Sequence, residues 1–355
     1  MKAGILRGFS ALALATATVT TLPALQASAS EPAASVGLKL AAASAAPGPT
    51  VSATVAPSWQ TNSTVWAIAA VHGVVFVGGS FTSVRPPGAA LGTGEVARTY
   101  LAEFNASTGA LITSFDPILD GQVTALAVSP DGSTLYVGGS FTHVNTTNYR
   151  NHLAAFSVAS GALSTTWKPN AAASVLSIAP SPDGSEIYIG GNFTSLDGTA
   201  RTRAGAVDAA TGTSALPWAP NVNGSVTSVA VAPDDSRVLV GGYFTAVNGV
   251  TQQAIGSTNP VTGASEPWAA TILPHTSTCV STVKDIIVNG ATAYIAAEGS
   301  GGGCFDGDFA ANISDGALVW QNDCLGATQS LALVNDWLYK GSHAHDCAYT
   351  FGGFL

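Results

Sequence analysis

The sequence predicts an all-β protein built from one repeated antiparallel unit, and three observations predict it. A motif of two apolar residues, two glycines, a variable residue, phenylalanine and threonine recurs along the chain. Short turns rich in Asp-Gly and Asn-Gly separate its apolar runs. A later run in each copy carries an aromatic residue at a corresponding place. The apolar content of 46% over 355 residues excludes a wholly disordered chain.

The repeat itself is explicit. "FVGGSFTSV" begins at Phe76, "YVGGSFTHV" at Tyr136, "YIGGNFTSL" at Tyr188 and "LVGGYFTAV" at Leu239. Their first glycines are Gly78, Gly138, Gly190 and Gly241, so the steps are 60, 52 and 51 residues. Degenerate copies follow as "YIAAEGS" from Tyr294 and "LYKGSHAH" from Leu338. Such self-similarity indicates a propeller or a solenoid.

Each copy reads as four strands. A first apolar run, such as "VTALAVS", leads to a turn and then to the run that ends in the glycines. The turns are His72-Gly73, Asp131-Gly132, Asp183-Gly184, Asp234-Asp235, Asn289-Gly290 and Asn335-Asp336, and residues of this kind tolerate positive φ in hairpins. A third run precedes a turn ending in Gly109, Gly161, Gly212, Gly263 or Gly316. The fourth run carries Phe115, Trp167, Trp218, Trp268 or Trp320. Four strands joined by tight turns make one propeller blade. The expected fold is therefore a β-propeller of four-stranded antiparallel blades, about six of them visible and the last incomplete. Paired glycines inside a strand imply close approach of backbone or of a neighbouring side chain. The tryptophans are expected to fill the outer gap between blades as core.

These residues resemble the delta-60 repeat family of secreted bacterial β-propellers, which is similar to kelch repeats in its apolar-Gly-Gly strand followed later by Trp. The resemblance covers residues 60–350 and implies a secreted propeller. The first copy departs from it by an insertion over Arg85–Ala97, and the fifth and sixth copies lose the GGxFT motif.

The expected organisation is a signal peptide at 1–29, an Ala/Ser/Pro-rich linker at 30–50 and a propeller at 51–355. Its blades fall at about 51–119, 120–171, 172–222, 223–272, 280–323 and 324–355, the last partial. Lys2 and Arg7 precede an apolar run, and Ala27-Ser28-Ala29 supplies an A-x-A cleavage site, the layout of a secretory leader. A short helix over Leu38–Ala46 is compatible with the linker but not required. No later segment has the ~20 apolar residues of a membrane span. The net charge of −9 becomes −11 once Lys2 and Arg7 leave with the leader, which argues against nucleic acid. "TVSATVAPSWQ" looks like a fourth strand, with Trp59 in the place of Trp167 and Trp218. Such a strand would complete the last blade. The chain stops at "TFGGFL", in a loop that should lead to a third strand, so the reading predicts truncation at the C-terminus. An open ring would expose strand edges.

The four cysteines lie in copies five and six at equivalent places, one before the first strand and one after the second. Those loops share a face, and an even count in an oxidising compartment favours pairing. The pairs expected are Cys279–Cys304 and Cys324–Cys347, each worth roughly 3 kcal/mol by loop closure. A cysteine metal site is the alternative.

"GSHAHDC" raises a second metal reading. His343 and His345 alternate on one side of a strand, and with Asp346, or with Asp306 or Asp308 of the preceding blade, they form a donor set suited to zinc or copper. The alternatives are hydrogen bonding to loop backbone and direct ligand contact. Arg98, Arg150 and Arg201 each stand three residues before an apolar position of the third strand. They read as braces donating to loop carbonyls, or as a cationic ring for an anionic glycan. Thr251 at this place in copy four weakens the ring.

The sequence contains no nucleophile elbow, HExxH or phosphate loop. Its first functional reading is a secreted binding or scaffold module for an extracellular glycan or surface protein. Secreted metal-dependent enzyme, either hydrolase or copper oxidase-like, is the second, and structural surface protein without a small ligand is the third. An enzyme predicts a deep axial pocket, and a glycan binder predicts exposed aromatics with amides on one face.

Overall fold

The apolar runs on either side of each hairpin turn pair as antiparallel strands, because their alternation lets one face of each run be buried. The computed structural model describes residues 57–355 apart from 215, 301–303, 324–325, 335–336 and 344–355. The expected leader, linker and Leu38–Ala46 helix lie outside the described residues, as does the Asn335-Asp336 turn. Every regular element described is a β-strand.

Six principal sheets follow one another along the chain, and four smaller ribbons of two or three short strands are formed by the segments between them. The first joins Val65–Val71, Val74–Gly79 and Leu101–Asn105, and the second joins Val123–Val128, Thr134–Gly139 and Leu153–Ser157. The third contains Val175–Pro180, Glu186–Gly191 and Ala204–Asp208. The fourth has Ser225–Val231, Val238–Tyr243, Ile255–Thr258 and Ser265–Glu266. The fifth has Val280–Asn289, Thr292–Ser300, Gly307–Asn312 and Leu318–Asp323, and the sixth pairs Thr328–Val334 with Trp337–Ser342. The first strand of each sheet packs against the first strand of the next.

The glycine pairs allow that packing, and each member has a different reason. A methyl group at Gly138 would lie 2.7 Å from Val175 Cγ1 in the following sheet, and Gly78, Gly190 and Gly241 meet Val123, Val226 and Val283 in the same way. All four valines are fully buried. The second glycines, Gly79, Gly139, Gly191 and Gly242, instead face carbonyl oxygens at the start of their own first strand. In the fifth sheet Ala296 stands at the first-glycine place, and Thr328 of the sixth stands where the valine would be. Both are fully buried.

The rest of the motif anchors the turn that follows. Phe81, Phe141, Phe193 and Phe244 are buried. Their carbonyls accept the amides of Tyr100, His152, Arg203 and Ala254 at 2.9, 2.9, 2.9 and 3.0 Å. Those four residues have φ of 68°, 70°, 70° and 60°, a left-handed conformation held by the surrounding bonds.

The fourth runs depart from expectation in the first three sheets. There the fourth strand shrinks to a bridge, Phe104↔Leu111 or Phe156↔Leu163, or is absent from the ladder. Proline explains this, since Pro117, Pro169, Pro217 and Pro220 lie beside the aromatics and cannot donate to a ladder. The fourth sheet's last strand stops at Glu266, immediately before Pro267. "LVWQND" of the fifth sheet has no proline and forms a full strand. The aromatics still become core. Phe115, Trp167 and Trp218 are 2%, 3% and 0% exposed, whereas Trp320 at the far end of the array is 36% exposed.

A second inter-sheet contact uses one side-chain oxygen at each of the last three junctions. Ser177 Oγ accepts the Val229 amide at 2.9 Å, Ser228 Oγ accepts that of Ile286 at 3.0 Å, and Asp285 Oδ2 accepts that of Leu331 at 2.9 Å. Burial raises the Asp285 pKa against the pull of these hydrogen bonds. A carboxyl with a raised folded pKa adds stability below its unfolded value near 4 and loses it as pH rises through the folded value. Asp285→Ser keeps the acceptor without the charge. Urea unfolding should therefore show the variant gaining on the wild type between pH 4 and pH 8, and being the more stable at the upper end.

Candidate functional site

The residue after each glycine pair lies where the second strand ends, so six such residues sit at the same end of the six sheets. They are Ser80, Ser140, Asn192, Tyr243, Glu298 and His343. The first three are small and neutral, and two of them brace neighbouring backbone segments: Ser80 Oγ lies 3.0 Å from Ser63 Oγ, and Asn192 Oδ1 accepts Ser225 Oγ at 2.5 Å. The last three are an aromatic, a carboxylate and an imidazole. The change begins at Tyr243 in the last regular copy, and the two charged or titratable residues fall in the copies that lose the motif.

Glu298 is the centre of a polar cluster spanning the fifth and sixth sheets. Its Oε2 accepts Lys284 Nζ at 3.0 Å and Gln329 Nε2 at 3.2 Å. Lys284 and Gln329 follow the inter-sheet Val283 and Thr328 in sequence. At the matching places in earlier sheets, Thr124 and Thr227 donate to the carbonyls of Val175 and Val283. The Lys284 hydrogen bond, with that of Gln329 and the charges of Lys284 and His343, outweighs burial and holds the Glu298 carboxyl below its ordinary range. Glu298 is therefore ionised at neutral pH and partly open to solvent, its side chain being 44% exposed.

Beside it lies an aromatic surface. Tyr243 is 51% exposed, and its ring centroid stands 5.2 Å from that of His275. His275 Nδ1 is buried without a hydrogen-bond partner. His275 bridges to Val280, which pairs with Ser300 two residues beyond Glu298. The segment is tied down by the disulfide Cys279–Cys304. Trp66, 57% exposed, occupies in the first sheet the place that Lys284 occupies in the fifth.

The expected metal ligands are only partly in view. His343 is exposed, and its amide donates to the Ala327 carbonyl at 3.2 Å. His345, Asp346, Cys324 and Cys347 lie outside the described residues. Asp308 is buried and already accepts Lys340 Nζ at 2.6 Å and Asn322 Nδ2 at 3.1 Å. Asp306 accepts the Gly299 amide at 3.0 Å. Among the described residues, no three His, Cys, Asp or Glu side chains converge to hold a metal ion.

The recurrent arginines are braces. Arg98 donates to the carbonyls of Ala97 and Thr113, Arg150 to those of Tyr149 and Ser164, and Arg201 to those of Ala200, Ser214 and Leu216. In copy four this place belongs to Gln252 and not to Thr251. The left-handed Ala254 aligns with Tyr100, His152 and Arg203, and Gln252 Nε2 donates to the Glu266 carbonyl at 3.0 Å. The arginines' Nη donors go to loop carbonyls, Arg98 also pairs with Asp116 at 3.1 Å, and Arg98 and Arg150 are buried, so they act as braces and not as exposed cations.

His143 with Asp120 is the other exposed ionisable pair at this end, at 2.9 Å. Burial would raise the Asp120 pKa, but the His143 and Thr142 amides and the Thr142 hydroxyl together hold it well below the usual range. The same bonds run from Thr82 to Asn62 and from Thr245 to Asn223, so this carboxylate is a loop fastener.

Removing the disulfide tests how far the site depends on it. Cys279→Ser/Cys304→Ser releases a 25-residue separation, which loop-closure entropy values at about 3 kcal/mol. An unfolding free energy from urea titration lowered by that amount is expected, and an unchanged one would show that the segment is held by other contacts.

Comparison with known proteins adds little. No protein-family model matches the chain, and no curated protein matches it. Among solved structures it is similar to hydrazine synthase of Kuenenia stuttgartiensis, with a TM-score of 0.39 and 14% identity. That likeness covers 57% of this chain and spans about half, 49%, of the other. A likeness this distant carries no functional implication.

Proposed function

We propose that the chain is a secreted β-propeller of the delta-60, kelch-like kind, acting as an extracellular binding or scaffold module. Its six sheets are the blades. The end bearing Tyr243, His275 and Glu298 engages carbohydrate or another cell-surface component. The secretory leader and the disulfide support the compartment. The successive packing of first strands supports the architecture.

The observation that carries the binding reading is Tyr243, a half-exposed ring packed at a tilt against His275, with the fixed Glu298 carboxylate and the Gln329 amide in the next two sheets. An exposed aromatic face with a few positioned polar groups suits the alternating C–H and hydroxyl surfaces of a sugar. Glu298 presents an acceptor, while Gln329 and Lys284 present donors. Titration calorimetry of the secreted protein against a panel of cell-wall and extracellular polysaccharides tests the reading. A ligand should be found whose affinity falls at least tenfold, about 1.4 kcal/mol or more, in Tyr243→Ala, with the thermal midpoint unchanged. Binding indifferent to that change, or absent across the panel, would overturn the assignment of this surface.

A further inference from the structure

A short antiparallel ribbon follows the phenylalanine of each GGxFT motif, and its first cross-strand pair can be compared across four copies. The pairs are Ser83↔Ala97, His143↔Tyr149, Ser195↔Ala200 and Ala246↔Thr251. Three of them are small. The second copy, which keeps the motif, instead sets two rings edge to face with centroids 5.5 Å apart. Tyr149 is 56% exposed and the His143 side chain 41%. The ribbon lies beyond the second strand, at the end of the sheets that carries Tyr243.

The surroundings of this pair depart from the other copies as well. Asp120 stands where the first and fourth copies have Asn62 and Asn223. All three accept two backbone amides through Oδ1, so the fastening itself needs no charge. The second atom differs. Asn62 and Asn223 donate from Nδ2 to Thr82 and Thr245 Oγ1, whereas Asp120 Oδ2 accepts Thr142 Oγ1 at 2.7 Å and faces His143 Nδ1 at 2.9 Å. An ionised carboxylate only accepts, so Nδ1 carries the proton and Nε2 of the neutral ring is left as an acceptor. Among the described residues, every hydrogen bond of the His143 ring is made by Nδ1.

The turn of the ribbon is altered too. It has three residues where the third and fourth copies have two, and Thr146 stands at φ of 61° where Gly198 and Gly249 have 76°. A β-branched residue in that conformation is strained, and such strain gathers at functional sites. Ile118, 49% exposed, gives its amide to Asn145 of this turn, a place filled by Asn170 and Asn221 in the next two copies.

We propose that Tyr149 and His143 form a second sugar-binding surface, for a pyranose ring with equatorial hydroxyls in a β-linked polymer of glucose or N-acetylglucosamine. Such a ring exposes C–H groups on its faces, one of which covers Tyr149, while a hydroxyl at its edge donates to His143 Nε2. Asp120 is a positioning residue that sets which nitrogen accepts. For its ligand class the proposal rests on the reading of the chain as a binder of extracellular glycans, but it shares no residue with the Tyr243 surface.

The test is NMR of the His143 ring nitrogens in the secreted protein during titration with cellotetraose and with chitotetraose in millimolar excess. One of the two sugars should shift the Nε2 signal. That response should persist when the other surface is removed by Tyr243→Ala, and should weaken by about tenfold or more in Tyr149→Ala. In Asp120→Asn the amide nitrogen faces Nδ1, so the ring proton should move to Nε2 in the same spectra. Affinity should then fall by about tenfold with the thermal midpoint unchanged, and an unchanged affinity would overturn the positioning role. A His143 signal that neither sugar moves, or that moves alike in the wild type and Tyr149→Ala, would overturn the proposal. A response lost in Tyr243→Ala and kept in Tyr149→Ala would also overturn it, while leaving the Tyr243 surface in place.

Discussion

The contact on which the rest depends is the approach of a valine in one sheet to a glycine in the sheet before it. Gly78, Gly138, Gly190 and Gly241 leave room for Val123, Val175, Val226 and Val283, and this spacing brings first strands side by side. Glycine costs a strand conformational entropy and packing, so its recurrence at this place needs a return. The return is a row of fully buried valines and the apolar clusters around them. Once adjacent, the first strands exchange secondary bonds through Thr124, Ser177, Thr227, Ser228 and Asp285. The bonds of Thr124, Ser177, Thr227 and Ser228 depend on the distance that the glycine sets, while at Asp285 the alanine Ala296 holds the same place.

The candidate site arises where this regularity relaxes. In the first three sheets the rim residues are small and neutral, and after the valine Thr124 of the second sheet and Thr227 of the fourth donate to neighbouring backbone carbonyls. In the fifth and sixth sheets the same places hold Lys284, Glu298, Gln329 and His343, which interact with one another. Tyr243, at the rim of the last regular copy, lies beside them with His275. Regular repeats supply a rigid frame, and the irregular ones supply chemistry at the same register. The Cys279–Cys304 bond replaces the fastening that the lost GGxFT turn provides elsewhere.

Much of the fold was legible in the sequence because its causes are local. Hairpin turns, apolar alternation and glycine pairs act over a few residues and repeat. The arginine braces were legible as well, because Arg98, Arg150 and Arg201 stand at one spacing in a chain poor in charge. Position four was misread by one residue, since the alignment rests on the left-handed Ala254, a backbone feature with no side-chain signature. The shrunken fourth strands were foreshadowed by Pro117, Pro169 and Pro220 beside the aromatics. The Glu298 cluster was not legible. It forms between side chains 14, 31 and 45 positions apart, brought together only by the register of two sheets. Lining up the degenerate copies at the residue after the glycine pair would have shown Tyr243, Glu298 and His343 following Ser80, Ser140 and Asn192.

The most direct measurement is a double-mutant cycle across the second junction. Gly138→Ala, Val175→Ala and the pair together would be compared by urea unfolding. Overpacking at Gly138 is expected to cost about 1–3 kcal/mol in the wild-type background. It should cost at least about 1 kcal/mol less once Val175 is shortened, a coupling of the size seen for residues in contact. Costs that simply add to within about 0.5 kcal/mol would contradict the claim that this glycine is there to admit this valine.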